Sequence, residues 1–92
     1  MKQIELTPRL RTVADLVPQG ARLADVGTDH AYLPAWLLQH DRIGCAIATD
    51  LRSGPLDRAR ETASACGLEG RMDFRLCDGL KGVAPEEVDT IT

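Results

Sequence analysis

Aromatic residues are scarce: Tyr32, Trp36 and Phe74 are the only three among 92 residues, so aliphatic side chains must build the core. A chain of this length holds one domain at most and can bury only a small core. No apolar run approaches the roughly 20 residues that span a bilayer, and the opening MKQIELTPRLR lacks the continuous apolar stretch of a signal peptide. These absences predict a cytoplasmic protein with no membrane partner. Cys45, Cys66 and Cys77 are odd in number, widely spaced and contain no CxxC pair, which excludes a disulfide framework and a zinc site. Each falls in an apolar stretch and reads as a small buried side chain. Runs of lysine and arginine are missing too. The net charge is −3, with acids and bases interspersed, so this segment carries no electrostatic footprint for nucleic acid. Composition leaves an RNA substrate open. Lys2, Arg9 and Arg11 read as a solvated helix face rather than a phosphate contact, and nothing points to a protein partner. With 43% hydrophobic and 27% charged residues, what remains is an ordinary globular composition.

The chain divides into alternating elements. Thr7 is a good N-cap and Pro8 suits the first helical position, where its missing N–H costs nothing. Leu10, Val13, Ala14 and Val17 then form one apolar stripe at helical spacing, ended by Pro18-Gln19-Gly20. Residues 21–26 read as a short strand and Gly27-Thr28-Asp29-His30 as the loop after it. A helix is expected from Tyr32 or Leu33 to Gln39, with Pro34 tolerated in its first turn. Residues 44–49 form a near-continuous apolar strand, the pattern of a strand buried on both faces. Ser53 is a candidate cap for a third helix, with Gly67 closing it. Residues 72–77 alternate like a third strand, Pro85-Glu86-Glu87 forms a turn, and residues 88–92 begin a fourth strand. This order predicts right-handed βαβ units on a parallel sheet. Because the chain stops within strand-like sequence, residues 1–92 are expected to be the N-terminal portion of a larger domain.

In open α/β sheets, ligands bind outside the carboxyl ends of the strands at the point where strand order reverses. The residues just after the strands are therefore the informative ones. They read Asp25-Val26-Gly27-Thr28-Asp29-His30, then Asp50, then Asp78-Gly79, which places an acid at each of three strand ends along one rim. A pyrophosphate cofactor fits poorly, since the second and third glycine positions of G-x-G-x-x-G are occupied here by Asp29 and Tyr32. No G-x-x-x-x-G-K-[ST] occurs either, which excludes a P-loop. Acids suit a ligand that is cationic and rich in hydroxyl donors. S-adenosylmethionine has a sulfonium, an ammonium and two ribose hydroxyls. Asp50 sits at the second strand end, where nucleoside-binding units place a ribose-reading acid, with Leu51 beside it. Asp78 could accept from the adenine amino group. Asp25 and Gly27 would bracket the methionine end, with Gly27 allowing close backbone approach. His30 has three readings: a helix-entry residue bonded to nearby backbone, a polar group facing the methyl-transfer centre and, least favoured, a metal ligand. His40 and Trp36 read as an exposed helix end and a packing residue.

The wording of these segments is distinctive. Ala24-Asp25-Val26-Gly27-Thr28-Asp29-His30-Ala31-Tyr32-Leu33-Pro34 resembles the unusual first motif of the bacterial tRNA (adenine(22)-N1)-methyltransferase family. Residues 46–50, 54–56, 75–80 and 87–91 are similar to its later segments, so the likeness runs over nearly the whole chain. The resemblance implies an α/β, Rossmann-like class I methyltransferase domain, here truncated after its fourth strand. It also implies a cytoplasmic enzyme that methylates N1 of adenosine 22 in tRNA with S-adenosylmethionine and no metal. By position, Asp25, Gly27, Thr28 and Asp29 would lie at the methionine end, Asp50 and Leu51 at the ribose, and Asp78 and Gly79 at the adenine. His30, Asp29 and Tyr32 are the candidate catalytic or target-base residues. The family's further glycine-rich segment and helical C-terminal domain have no counterpart in these residues, so the 92 residues alone are expected to be inactive. The competing reading is a non-catalytic module of the same fold that binds S-adenosylmethionine or a nucleoside, or serves interaction.

Overall fold

The computed structural model describes all residues from Met1 to Thr92. Helix α1 spans Pro8–Leu16 and opens as its sequence dictates, with Thr7 Oγ1 accepting from the Leu10 N–H at 3.3 Å. Strand β1 follows at Leu23–Val26, α2 at Tyr32–Gln39, β2 at Ala46–Asp50 and α3 at Ser53–Cys66. A short 3-10 turn at Glu69–Arg71 leads into β3, Met72–Leu76, and another at Pro85–Glu87 precedes β4, Thr90–Ile91. The four strands are all parallel, in the order β3-β2-β1-β4.

Register explains where the core lies. Leu23, Ala46 and Met72 stand side by side across β1, β2 and β3, and all three belong to the cluster formed with the helices. The helices therefore form one layer on that face. Helix α2 is its centre, with Leu33 through Leu38 all buried, as expected for a helix apolar on every side. Leu37, Leu38, Leu56 and Val17 are almost wholly enclosed. The chain from β3 to β4 must return across the opposite face, and Gly79 and Gly82 accept hydrogen bonds there from Thr49 and Arg75. Strand order thus reverses between β1 and β4, and the carboxyl end of β1 lies at the switch point.

Several sequence expectations shift. Cys45 is exposed, because the ladder begins at Ala46 and leaves Gly44 and Cys45 outside it. Cys77 is half-buried just beyond β3, and only Cys66 is enclosed. Ser53 is the first residue inside α3 and not its cap; Arg52 occupies that position without a side-chain cap bond. Strand β4 begins at Thr90, because Asp89 turns its carboxylate to the Arg22 N–H at 2.9 Å. Its backbone bonds to β1 run on through Thr92, which donates to the Ala24 carbonyl at 3.0 Å and accepts from the Val26 N–H at 2.9 Å.

Candidate functional site

The loop between β1 and α2 is held by the ends of three strands. The Thr28 N–H donates to the Thr49 carbonyl at 3.0 Å and the Ala31 N–H to the Thr28 carbonyl at 2.9 Å. Asp25, at 8% exposure, accepts from the hydroxyl of Thr28 at 2.7 Å and from that of Thr92 at 2.8 Å. Burial pushes its carboxyl above the usual range, and the two hydroxyls oppose that shift. Gly27 has φ +66°, and a Cβ built there would meet nothing. Its glycine therefore serves the turn, and its open side leaves room for a ligand.

Two non-glycine residues of this loop, Asp29 at φ 54° and Ala31 at φ 60°, also adopt the left-handed conformation. Each costs on the order of 1 kcal/mol, and strained residues of this kind gather at ligand-binding loops. The strain turns Asp29 outward, where it receives Arg58 Nη2 at 3.2 Å and His30 Nδ1 at 3.3 Å. The hydrogen bond from Arg58 holds its carboxyl below the usual range, with His30 adding to the effect. His30 in turn stacks on Tyr32, with ring centroids 5.1 Å apart.

Two concavities open on this loop and share Gly27 and Asp29 as their common wall. One, of about 490 Å³, is lined by Asp50, Leu51, Arg52, Arg58, Cys77 and Gly79 among others. The other, of about 390 Å³, is lined by Arg9, Asp25, Thr28, His30 and Tyr32 with neighbouring groups. Both are in the size range of small-molecule sites. Asp50 is 7% exposed. Its Oδ1 accepts the Arg52 N–H at 3.1 Å, while Oδ2 has no protein donor and stays available.

The structure brings Asp25, Gly27, Thr28, Asp29, His30 and Tyr32 together around one concavity, and Asp50, Leu51 and Gly79 around the other. Thr28 contributes as a brace, since its hydroxyl is committed to Asp25. Asp78 stands apart: its side chain is exposed and faces Lys81 Nζ at 3.5 Å, outside both walls. Arg9, Arg52 and Arg58 line the walls without having been singled out as ligands by the sequence. Only their place could have signalled them: Arg9 in the first turn of α1, Arg52 at the N-cap position of α3 and Arg58 in its second turn. No cluster of three or more His, Cys, Asp or Glu side chains is placed to hold a metal ion, and no helix is long and apolar enough to cross a membrane.

A parallel sheet of order 3-2-1-4, with an acid-rimmed cleft at its switch point, is the architecture of a Rossmann-like methyltransferase domain. The chain belongs to the Methyltransferase domain family, whose profile matches residues 6–92. Within that family its likeness is to the tRNA (adenine(22)-N(1))-methyltransferases. The enzyme of that name from Bacillus subtilis is 38% identical over all 92 residues. A protein of the NADB-Rossmann superfamily from Streptococcus agalactiae superposes with a TM-score of 0.91 at 44% identity, over 97% of this chain. M. capricolum TrmK, solved in complex with S-adenosyl-homocysteine, superposes at 0.87 with 37% identity over 94% of this chain. The chain spans about 40% of the length of these relatives, covering 39%, 40% and 39% of them respectively.

Proposed function

We propose that this chain is the cofactor-binding part of an S-adenosylmethionine-dependent tRNA methyltransferase acting on N1 of adenine 22. The observation that carries the reading is the pair of concavities meeting at Gly27 and Asp29, one suited to a nucleoside and the other to a reacting centre. The likeness to the Bacillus subtilis enzyme, which runs over this whole chain and 39% of that enzyme, supports the choice of substrate. Asp50 Oδ2 would accept from the ribose hydroxyls, with Leu51 and Gly79 flanking the base. Asp78 would reach the adenine only from the rim, as its side chain faces solvent. Asp25, Gly27, Thr28 and Asp29 would surround the methionine end.

When bound, S-adenosylmethionine supplies an electrophilic methyl group. Adenine N1 carries an in-plane lone pair, so the protein's task is alignment for in-line displacement rather than covalent activation. With the donor held in the cleft, transfer to N1 would leave the positive charge on the base. The Asp29 carboxylate, whose ionised form Arg58 favours, would stabilise that charge. The stacked His30 and Tyr32 rings offer a surface for a base taken out of its stack.

The test is methyl transfer by the intact gene product from labelled S-adenosylmethionine to tRNA transcripts. Label should enter a transcript with adenine at position 22 and not one with guanine there. Cofactor binding with no transfer to either transcript would favour the non-catalytic binding module instead.

A further inference from the structure

The segment before α1 is fixed along α2. The Lys2 N–H donates to the Ala65 carbonyl at 3.0 Å, Ile4 is buried in the core cluster and Leu6 packs against it. Gln39, the last residue of α2, holds this segment with both ends of its carboxamide. Oε1 accepts the Ile4 N–H at 2.9 Å, and Nε2 donates to the Lys2 carbonyl at 2.6 Å. A carboxamide offers both acceptor and donors, so it grips a chain segment much as a neighbouring strand would.

Lys2 thus precedes α1 rather than lying on its face, and its side chain reaches back along α2. Its backbone is tied at Gln39, yet its Nζ stands 5.9 Å from the ring centroid of Tyr32, the first residue of α2. Those two ends lie about 10 Å apart along the helix. Tyr32 lines both the groove that Lys2, Gln3 and Ile4 border and the concavity of His30 and Asp29. Its ring is only half-buried, so the core does not confine it on every side, and an ammonium is attracted to a ring face. We propose that Gln39 and Lys2 are positioning residues for the target base. The clasp sets Lys2 against the Tyr32 ring and so keeps that ring stacked on His30, an assignment that rests on the reading above of this pair as the surface for the base.

Kinetics and nuclear magnetic resonance on the intact protein test this together. Lys2→Met removes the charge at an exposed position and should lower kcat for tRNA methylation roughly two- to fivefold, the range of an exposed cation–π contact. KM for tRNA and the affinity for S-adenosylmethionine should stay as in the wild type. Lys2→Arg, which keeps a cation over the ring, should restore kcat. Gln39→Leu removes both clasp bonds and should lower kcat at least as far. The ring-proton shifts of His30 report its stack on Tyr32 without tRNA; they should move in Lys2→Met and return in Lys2→Arg. Unmoved shifts with wild-type kcat in Lys2→Met would overturn the proposal and leave the segment a packing role. A raised KM for tRNA at unchanged kcat would overturn it as well, making Lys2 a phosphate contact whose effect fades with salt. Shifts that move as expected in a protein that methylates no tRNA would uphold the positioning and sink the substrate reading instead.

Discussion

Asp25 and Asp50 both end a strand, yet their surroundings give them different tasks. Each oxygen of Asp25 already accepts a threonine hydroxyl, so much of its effect is to brace the loop. Asp50 spends one oxygen on the Arg52 N–H and keeps the other for a ligand. Asp50→Ala should therefore weaken S-adenosylmethionine binding by roughly 1–3 kcal/mol, the usual loss for a charged acceptor. Calorimetry on a variant with unchanged circular dichroism checks this, and unchanged affinity would take Asp50 out of the site. His30 belongs to the other concavity, where its ring stacks on Tyr32 and bonds to Asp29. His30→Ala should lower kcat for tRNA methylation while leaving S-adenosylmethionine affinity nearly intact. Wild-type turnover in that variant would return His30 to a purely local backbone role. The strand-end acids were legible in the sequence because periodicity locates strand ends and topology makes those ends a rim. Arg58 was not, because its meeting with Asp29 depends on a left-handed turn at a non-glycine residue, which sequence pattern does not announce.

Among the elements, β3 is tied to the return segment by one cluster of charges. Arg75 donates to Glu87 at 2.6 and 2.8 Å and to Asp73 at 2.8 Å, while Glu87 also accepts the Ala84 N–H at 2.8 Å. The hydrogen bond from Arg75, aided by that backbone donor, lowers the Glu87 carboxyl from its ordinary 4.5 to about 2. A carboxyl depressed in the folded state contributes stability that is present above its ordinary value and is lost as pH falls toward the lowered one. Glu87→Gln should thus have a lower urea midpoint than the wild type at pH 7, and the gap should close between pH 4.5 and 2. A gap that does not change with pH would mean that the contact acts through shape and not charge. This clasp could not be read from the sequence, because it joins residues whose approach depends on the path between β3 and β4. The helices were readable almost to the residue: Thr7 and Pro8 start α1 and Gly67 closes α3 in the left-handed conformation. Strand limits were less so, since ladder partners and not hydropathy decide that β2 begins at Ala46 and that β4 begins at Thr90.

For the molecule as a whole, the helices cover one face of the sheet and a single return segment crosses the other. Ile91 on the edge strand is 54% exposed and Leu80 is 38% exposed. They border an apolar groove of about 410 Å³ with Val83 and Val88. An uncovered apolar strand edge is a template for pairing with another chain. The 92-residue chain on its own should therefore self-associate as its concentration rises, and Ile91→Lys should suppress this. Light scattering across a dilution series would show it, and a monodisperse wild type would mean that the return segment protects the edge.

The central claim is that the acid-rimmed switch point selects a cationic nucleoside over a pyrophosphate dinucleotide. Titration of the protein with S-adenosylmethionine and, separately, with NAD tests it most directly. The account predicts saturable binding of S-adenosylmethionine and none of NAD, since Asp29 stands where the pyrophosphate would approach the backbone. Binding of NAD with equal or greater affinity would contradict it.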